Sequence, residues 1–160
     1  MAETVHEIMV DASPETIFPL LVDADQHVRW MGTEARLDAR PGGDYDVLVA
    51  GRYRASGKFV DVVPNERVTF TFGWDSNEMP LPPGSSTVEI SLRPEGDKTR
   101  VRLVHRDLPD EAVGPHAHGW SHYVARLVVA STGGDNGPDL GPAGGDGTGA
   151  GSGGEDAPAR

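Results

Sequence analysis

Apolar and polar positions alternate with a period of two along most of the first two-thirds of the chain. "ETVHEIMV" (3–10) alternates and is rich in β-branched residues, which predicts a strand. The same pattern returns in residues 33–40, 44–50, 52–64, 67–74, 85–94 and 99–107. Gly, Pro, Asn and Asp punctuate these runs at "PGG", Gly51, "PNE" and "EGDK", as turns require. Three stretches break the alternation. In "SPETIFPLLVD", Ser13 suits an N-cap and Pro14 the first helical position, while Pro19 should shorten or kink the helix. A second short helix fits "ADQHVRWM" and ends at Gly32. Residues 109–131 fit one long helix, interrupted early by Gly114 and Pro115. The order is therefore one strand, two short helices, six strands and a long helix.

A run of meander strands favours an antiparallel sheet with one packed and one solvated face. Parity names the packed face: Val68, Phe70, Phe72 and Trp74; Val88, Ile90 and Leu92; Val101, Leu103 and His105. Only the last helix is long enough to cover it. At 100° per residue, Val113, His116, Ala117, Trp120, Tyr123, Val124, Leu127 and Val128 share one stripe of that helix, and His118 and His122 fall opposite, with Arg126 nearby. The expected fold class is α+β, an antiparallel sheet packed against a C-terminal helix.

Composition divides the chain. Residues 1–132 form the expected folded body. From Gly133 to Arg160 the sequence is dominated by Gly and small polar residues, and Leu140 is its only large apolar side chain, so 133–160 is expected to be a disordered acidic tail. There is no cysteine, which removes disulfides, thiolate nucleophiles and sulfur-rich zinc sites. No run reaches the length of a membrane span, and the start lacks the pattern of a signal peptide. The expectation is a soluble, cytoplasmic protein. The formal net charge of -11 makes nucleic acid and anionic membranes poor partners.

The histidines carry the candidate chemistry. His118 and His122 stand i, i+4, but no third ligand joins them and Arg126 would repel a cation, so no metal site and no cofactor is expected. His105 and His116 point into the space between sheet and helix, where an imidazole can orient a ligand, move a proton or sit in the core on a backbone carbonyl. Arg52, Arg54 and Lys58 share strand parity and form a basic stripe, either solvated or open to an acidic protein partner. Met79 and Leu81, in the Pro- and Gly-rich loop 73–86, are apolar tips that could cover a cavity mouth.

In their order and spacing, "ASPETIFPLLVDADQHVRWMG", "GGDYDVLVAGRYRASGKFVDVVPNERVTFTFGWD", "PGSSTVEISLRPEGDKTRVRLVHRDLPDEA" and "HAHGWSHYVARL" resemble the START-like, helix-grip superfamily. The branch they resemble is that of homologues of the activator of the heat-shock chaperone ATPase. The resemblance covers residues 3 to about 131. It implies a curved sheet wrapped around the last helix, with an apolar cavity between them that takes lipids, polyketides or other small apolar molecules. Some relatives are cyclases or dehydratases. Where the branch has paired aromatics, this chain has "RWMG", and Met31 changes the cavity there. The wall of that cavity would be Trp30, Phe59, Phe70, Phe72, Trp74, Trp120, Tyr123 and Val124, with His105 and His116 as its polar points. Three functions fit: a binder of a small apolar or amphipathic molecule, an enzyme using His105 or His116 as acid–base, and a protein-interaction module.

Overall fold

The computed structural model describes residues 2–144. One seven-stranded antiparallel sheet has the order β1-β7-β6-β5-β4-β3-β2. β1 (Ala2–Val10) is one edge and β2 (Glu34–Leu37) the other, and the two are joined by α1 (Pro14–Val22) and α2 (Ala24–His27). From β2 the chain meanders back through β3 (Asp44–Val49), β4 (Tyr53–Val63), β5 (Arg67–Phe72), β6 (Ser86–Glu95) and β7 (Lys98–Leu108). The long helix α3 (Asp110–Ser131) then packs against the sheet, and a single turn, α4 (Gly141–Gly144), follows.

Local chemistry fixes the ends of these elements. The Ser13 hydroxyl accepts the backbone N–H of Thr16 at 3.2 Å and caps α1, with Pro14 at its first position. α1 runs through Pro19 and stops after nine residues at Asp23, whose carboxylate caps α2. α3 is continuous through Gly114 and Pro115, not interrupted there. A proline crowds the Cβ of the residue before it, and Gly114 has none, so only one helical hydrogen bond is forfeited. Asn65 at φ 64 makes the tight turn expected at "PNE".

The parity reading holds across the sheet. Val68, Phe70, Phe72, Val88, Ile90, Leu92, Val101, Leu103 and His105 are all buried, joined by Tyr45 and Val47 from β3. A bulge between Phe59 and Asp61 keeps Phe59 inside and turns Val60 out. On α3 the buried stripe is Ala112, Trp120, Tyr123, Val124, Leu127, Ala130 and Ser131. Each of these large apolar side chains contributes on the order of 1.5–3 kcal/mol by leaving water. Gly57 lets β4 cross close to β5: a Cβ there would overlap the carbonyl of Thr71.

The boundary expected at Gly133 falls too early. Residues 135–142 return across the body instead of leaving it. Asp139 is 2% exposed and accepts the backbone N–H of Gly32 at 2.8 Å and of Ala50 at 3.2 Å, the hydroxyl of Tyr123 at 2.9 Å and the N–H of Gly141 at 2.9 Å. Asn136 donates to the carbonyls of Arg29 and Arg126. Arg126, expected on the solvent face, is half-buried and clamps this strap by donating to the carbonyls of Trp30, Asn136 and Gly137. The rest of the expected tail, from residue 145 on, lies outside the described residues.

Candidate ligand-binding cavity

A cavity of about 420 Å³ opens between the ends of β3–β5 and the N-terminal half of α3. Its floor is Phe72, Trp74, Trp120 and Tyr123, with His116 at one side. Val49, Ala50, Arg52 and Tyr53 of the β3–β4 turn form one lip, and Met79 forms another. Leu140, Gly141 and Pro142 of the strap close the third. Met31 completes the wall.

The structure therefore splits the expected wall in two. Phe72, Trp74, His116, Trp120 and Tyr123 line the cavity. Trp30, Phe59, Phe70, His105 and Val124 do not; they are core. Trp30 is drawn inward because its indole N–H donates to the carbonyl of Leu20 at 2.7 Å, which satisfies the polar atom without solvent. Phe70 stacks on Tyr45 with centroids 4.0 Å apart. Leu81, expected as a lid, is 1% exposed and belongs to the core, held where Trp74 N–H donates to its carbonyl at 2.7 Å. His118 is exposed, but His122 is half-buried with its ring edge against Tyr123.

Phe72 is the hub of the floor. Its ring meets Trp74 and His105 edge-on, at 5.3 Å and 5.1 Å, and Trp120 at 5.9 Å. Behind it, the two imidazoles stand perpendicular, 5.1 Å apart. Each accepts a hydrogen bond from an indole N–H. Trp120 Nε1–H donates to His105 Nδ1 at 2.9 Å, and Trp74 Nε1–H donates to His116 Nε2 at 2.9 Å. An indole N–H can only donate, so both tautomers are fixed. His105 carries its proton on Nε2 and gives it to Ser86 Oγ at 2.7 Å, which in turn donates to the carbonyl of Phe72 at 2.7 Å. His116 carries its proton on Nδ1 and gives it to the carbonyl of Ala112 at 2.8 Å.

All four ring nitrogens are therefore in use. Burial lowers the pKa of His105 to about 3, helped by the neighbouring His116, and burial lowers that of His116 as well. A neutral imidazole with its one lone pair on an indole is a poor base, and burial leaves its cationic, proton-donating form scarce. Tyr123 is held in its protonated form, first by burial and then by the Asp139 carboxylate its hydroxyl faces.

Sequence reasoning put Met79 at the mouth, where it lies, but missed the β3–β4 turn as a lip. Ala50 and Gly51 have φ of 56° and 66°, and Arg52 N–H closes the turn on the carbonyl of Val49 at 3.0 Å. Only the break at Gly51 signalled this turn. A second buried imidazole was also passed over. His27 is 2% exposed, donates from Nδ1 to the carbonyl of Met31 at 3.0 Å, and has its pKa lowered to about 4 by burial.

Two other surfaces are less suited to a ligand. A wider cleft of about 740 Å³ runs past Arg67, Arg93, Arg100 and Arg102 at the far end of the sheet, but acids answer its bases. Arg67 meets Asp61 at 2.7 Å, Arg100 meets Glu95 at 2.6 Å, and Arg102 meets Glu7 at 3.6 Å. Two residues of the basic stripe are neutralised in the same way by β3: Arg54 pairs with Asp46 at 2.5 Å and Lys58 with Asp44. Among the described residues no helix is long and apolar enough to cross a membrane.

A curved antiparallel sheet gripping a long C-terminal helix over a cavity defines the helix-grip, START-like class. Within it, the chain belongs to the family of Activator of Hsp90 ATPase homolog 1-like proteins, whose profile matches residues 11–131. It is similar to an AHSA1-like protein from Rhizobium etli solved by NMR, at 44% identity over 86% of this chain and 86% of that one, with a TM-score of 0.69. It shares its fold with CalU16 from Micromonospora echinospora, at 23% identity over 82% of this chain and 76% of that one, TM-score 0.66. It also shares its fold with an HSP90 activator from Plasmodium falciparum, at 18% identity over 79% of this chain and 94% of that one, TM-score 0.64. No curated protein matches it.

Proposed function

We propose that this protein binds a small apolar or amphipathic molecule in the 420 Å³ cavity and performs no chemistry on it. The observation that carries this reading is the contrast between the floor and its polar points. The floor offers aromatic faces in a volume typical of small-molecule sites. The imidazoles of His105, behind the floor, and of His116, at its side, are spent on holding Trp120 and Trp74 in place, not poised for proton transfer. Both indoles are thereby locked as rigid walls, which favours binding by removing the entropy of ordering them on association. A ligand covering several such rings binds in the micromolar range or better, given about 1.5–3 kcal/mol for each large apolar group removed from water. The protein-interaction reading is weakened by the pairing of Arg54 and Lys58 with β3 acids.

Native mass spectrometry of the purified protein, followed by solvent extraction, tests the proposal. A stoichiometric apolar adduct, recovered unchanged after incubation, is the expected result. A clean apo mass with no shift across a panel of fatty acids and aromatic polyketides would sink it. A bound molecule converted to product would instead make the protein an enzyme.

A further inference from the structure

The cavity wall contains one charged side chain among the described residues. Arg52 stands at the lip, while the floor below it is aromatic and the strap opposite it contributes Leu140 and Pro142. Its position is built. The turn that presents it has two consecutive left-handed residues, Ala50 and Gly51. An alanine in that conformation is strained and persists only where the surroundings hold it. They do so here: Ala50 N–H is tied to the buried Asp139. Arg52 then lies with its guanidinium 4.9 Å from the centroid of the Tyr53 ring, which also lines the cavity.

The guanidinium is under-used. Its closest carboxylate, Glu78, is 3.9 Å away, beyond hydrogen-bond distance, and that carboxylate already accepts the Tyr53 hydroxyl at 2.8 Å. Arg54, two residues on, has its acid at 2.5 Å. Beyond its contacts with Tyr53 and Glu78, Arg52 has no carboxylate within hydrogen-bond distance among the described residues, and its planar fork of N–H donors matches one.

Resting on the reading that the cavity binds a ligand, we infer that the ligand is an amphipathic monocarboxylate. Its apolar body lies on Phe72, Trp74 and Trp120, and its carboxylate meets Arg52 at the lip. The head stays near water, so the anion is not desolvated, while the body is. Glu78 opposes the head by like charge.

Titration of the full chain with decanoate, decanol and decyltrimethylammonium, followed by tryptophan emission and calorimetry, tests the inference. Decanoate is expected to bind about tenfold more tightly than decanol, the scale of one partly exposed charge-assisted contact. Arg52→Gln brings decanoate down to the level of decanol and leaves decanol unchanged. Arg52→Lys retains part of the preference, Glu78→Gln tightens decanoate, and Arg52→Glu shifts the preference to decyltrimethylammonium. Equal binding of decanoate and decanol by the native chain overturns the inference and leaves the cavity reading intact. An equal loss of both ligands in Arg52→Gln also overturns it, because Arg52 would then only shape the lip. Failure of all three probes to bind overturns this inference, while the cavity reading falls only if the mass-spectrometric panel also shows no adduct.

Discussion

The indole of Trp120 and the imidazole of His105 fix each other. One N–H···N bond of 2.9 Å orients a cavity wall and at the same time selects the tautomer of a buried histidine. The bond runs on through Ser86 to the carbonyl of Phe72, so the helix, β7, β6 and β5 share one chain of donors pointing the same way.

Nitrogen NMR reads this directly. His105 is expected as the Nε2–H tautomer, neutral at pH 6, and His116 as the Nδ1–H tautomer with its pKa lowered by burial. A cationic signal for His105 at that pH, or the opposite tautomer at either residue, would contradict the network.

Truncating the donor has a defined effect. Trp120→Phe keeps most of the apolar area but leaves His105 Nδ1 buried without a partner, a loss of about 1–3 kcal/mol in urea unfolding. Double substitution with His105→Leu recovers part of it, because both polar partners are then gone.

Stability should fall on acidification through the histidines. His105 and His27 have folded pKa values of about 3 and about 4, below the unfolded value of 6.5. The unfolded chain therefore binds more protons between those limits. The stabilisation is complete above pH 6.5 and is lost as pH falls towards the folded values, with a slope approaching roughly 1.4 kcal/mol per pH unit for each histidine. Urea midpoints between pH 7 and 4.5 measure it, and His27→Phe should flatten the slope.

Asp139→Ala should release the strap without unfolding the sheet. The amides of Gly32, Ala50 and Gly141 lose their acceptor and should exchange faster with solvent, and proteases should cut between residues 132 and 141 more readily. Unchanged exchange at these three amides would show that the strap is held by something else.

Much of the fold is legible in the sequence because period two along a strand and period 3.6 along a helix are local signals. Phe72, Trp74, Trp120, Tyr123 and His116 reach the cavity as their periodicity implies. Trp30 does not, because its placement depends on a carbonyl in α1 that no pattern announces. The strap was invisible for a related reason. Its composition suggests disorder, yet one carboxylate finds four donors, two of them about a hundred residues earlier in the chain. Arg52 looked like one of three equivalent bases on a strand. Its neighbours found cross-strand acids, while the turn carried Arg52 to the lip.

The cavity's floor and lip are built from different materials. The floor consists of sheet and helix residues whose loss also weakens the core. The lip is assembled from the β3–β4 turn, Met79 and the strap, and at it Arg52 and Leu140 are exposed. On the proposed reading, selectivity can therefore drift while the scaffold stays put: exchanging the exposed Arg52 or Leu140 changes what is admitted at little expense in folding, so one framework can serve many cargoes by rewriting only its rim.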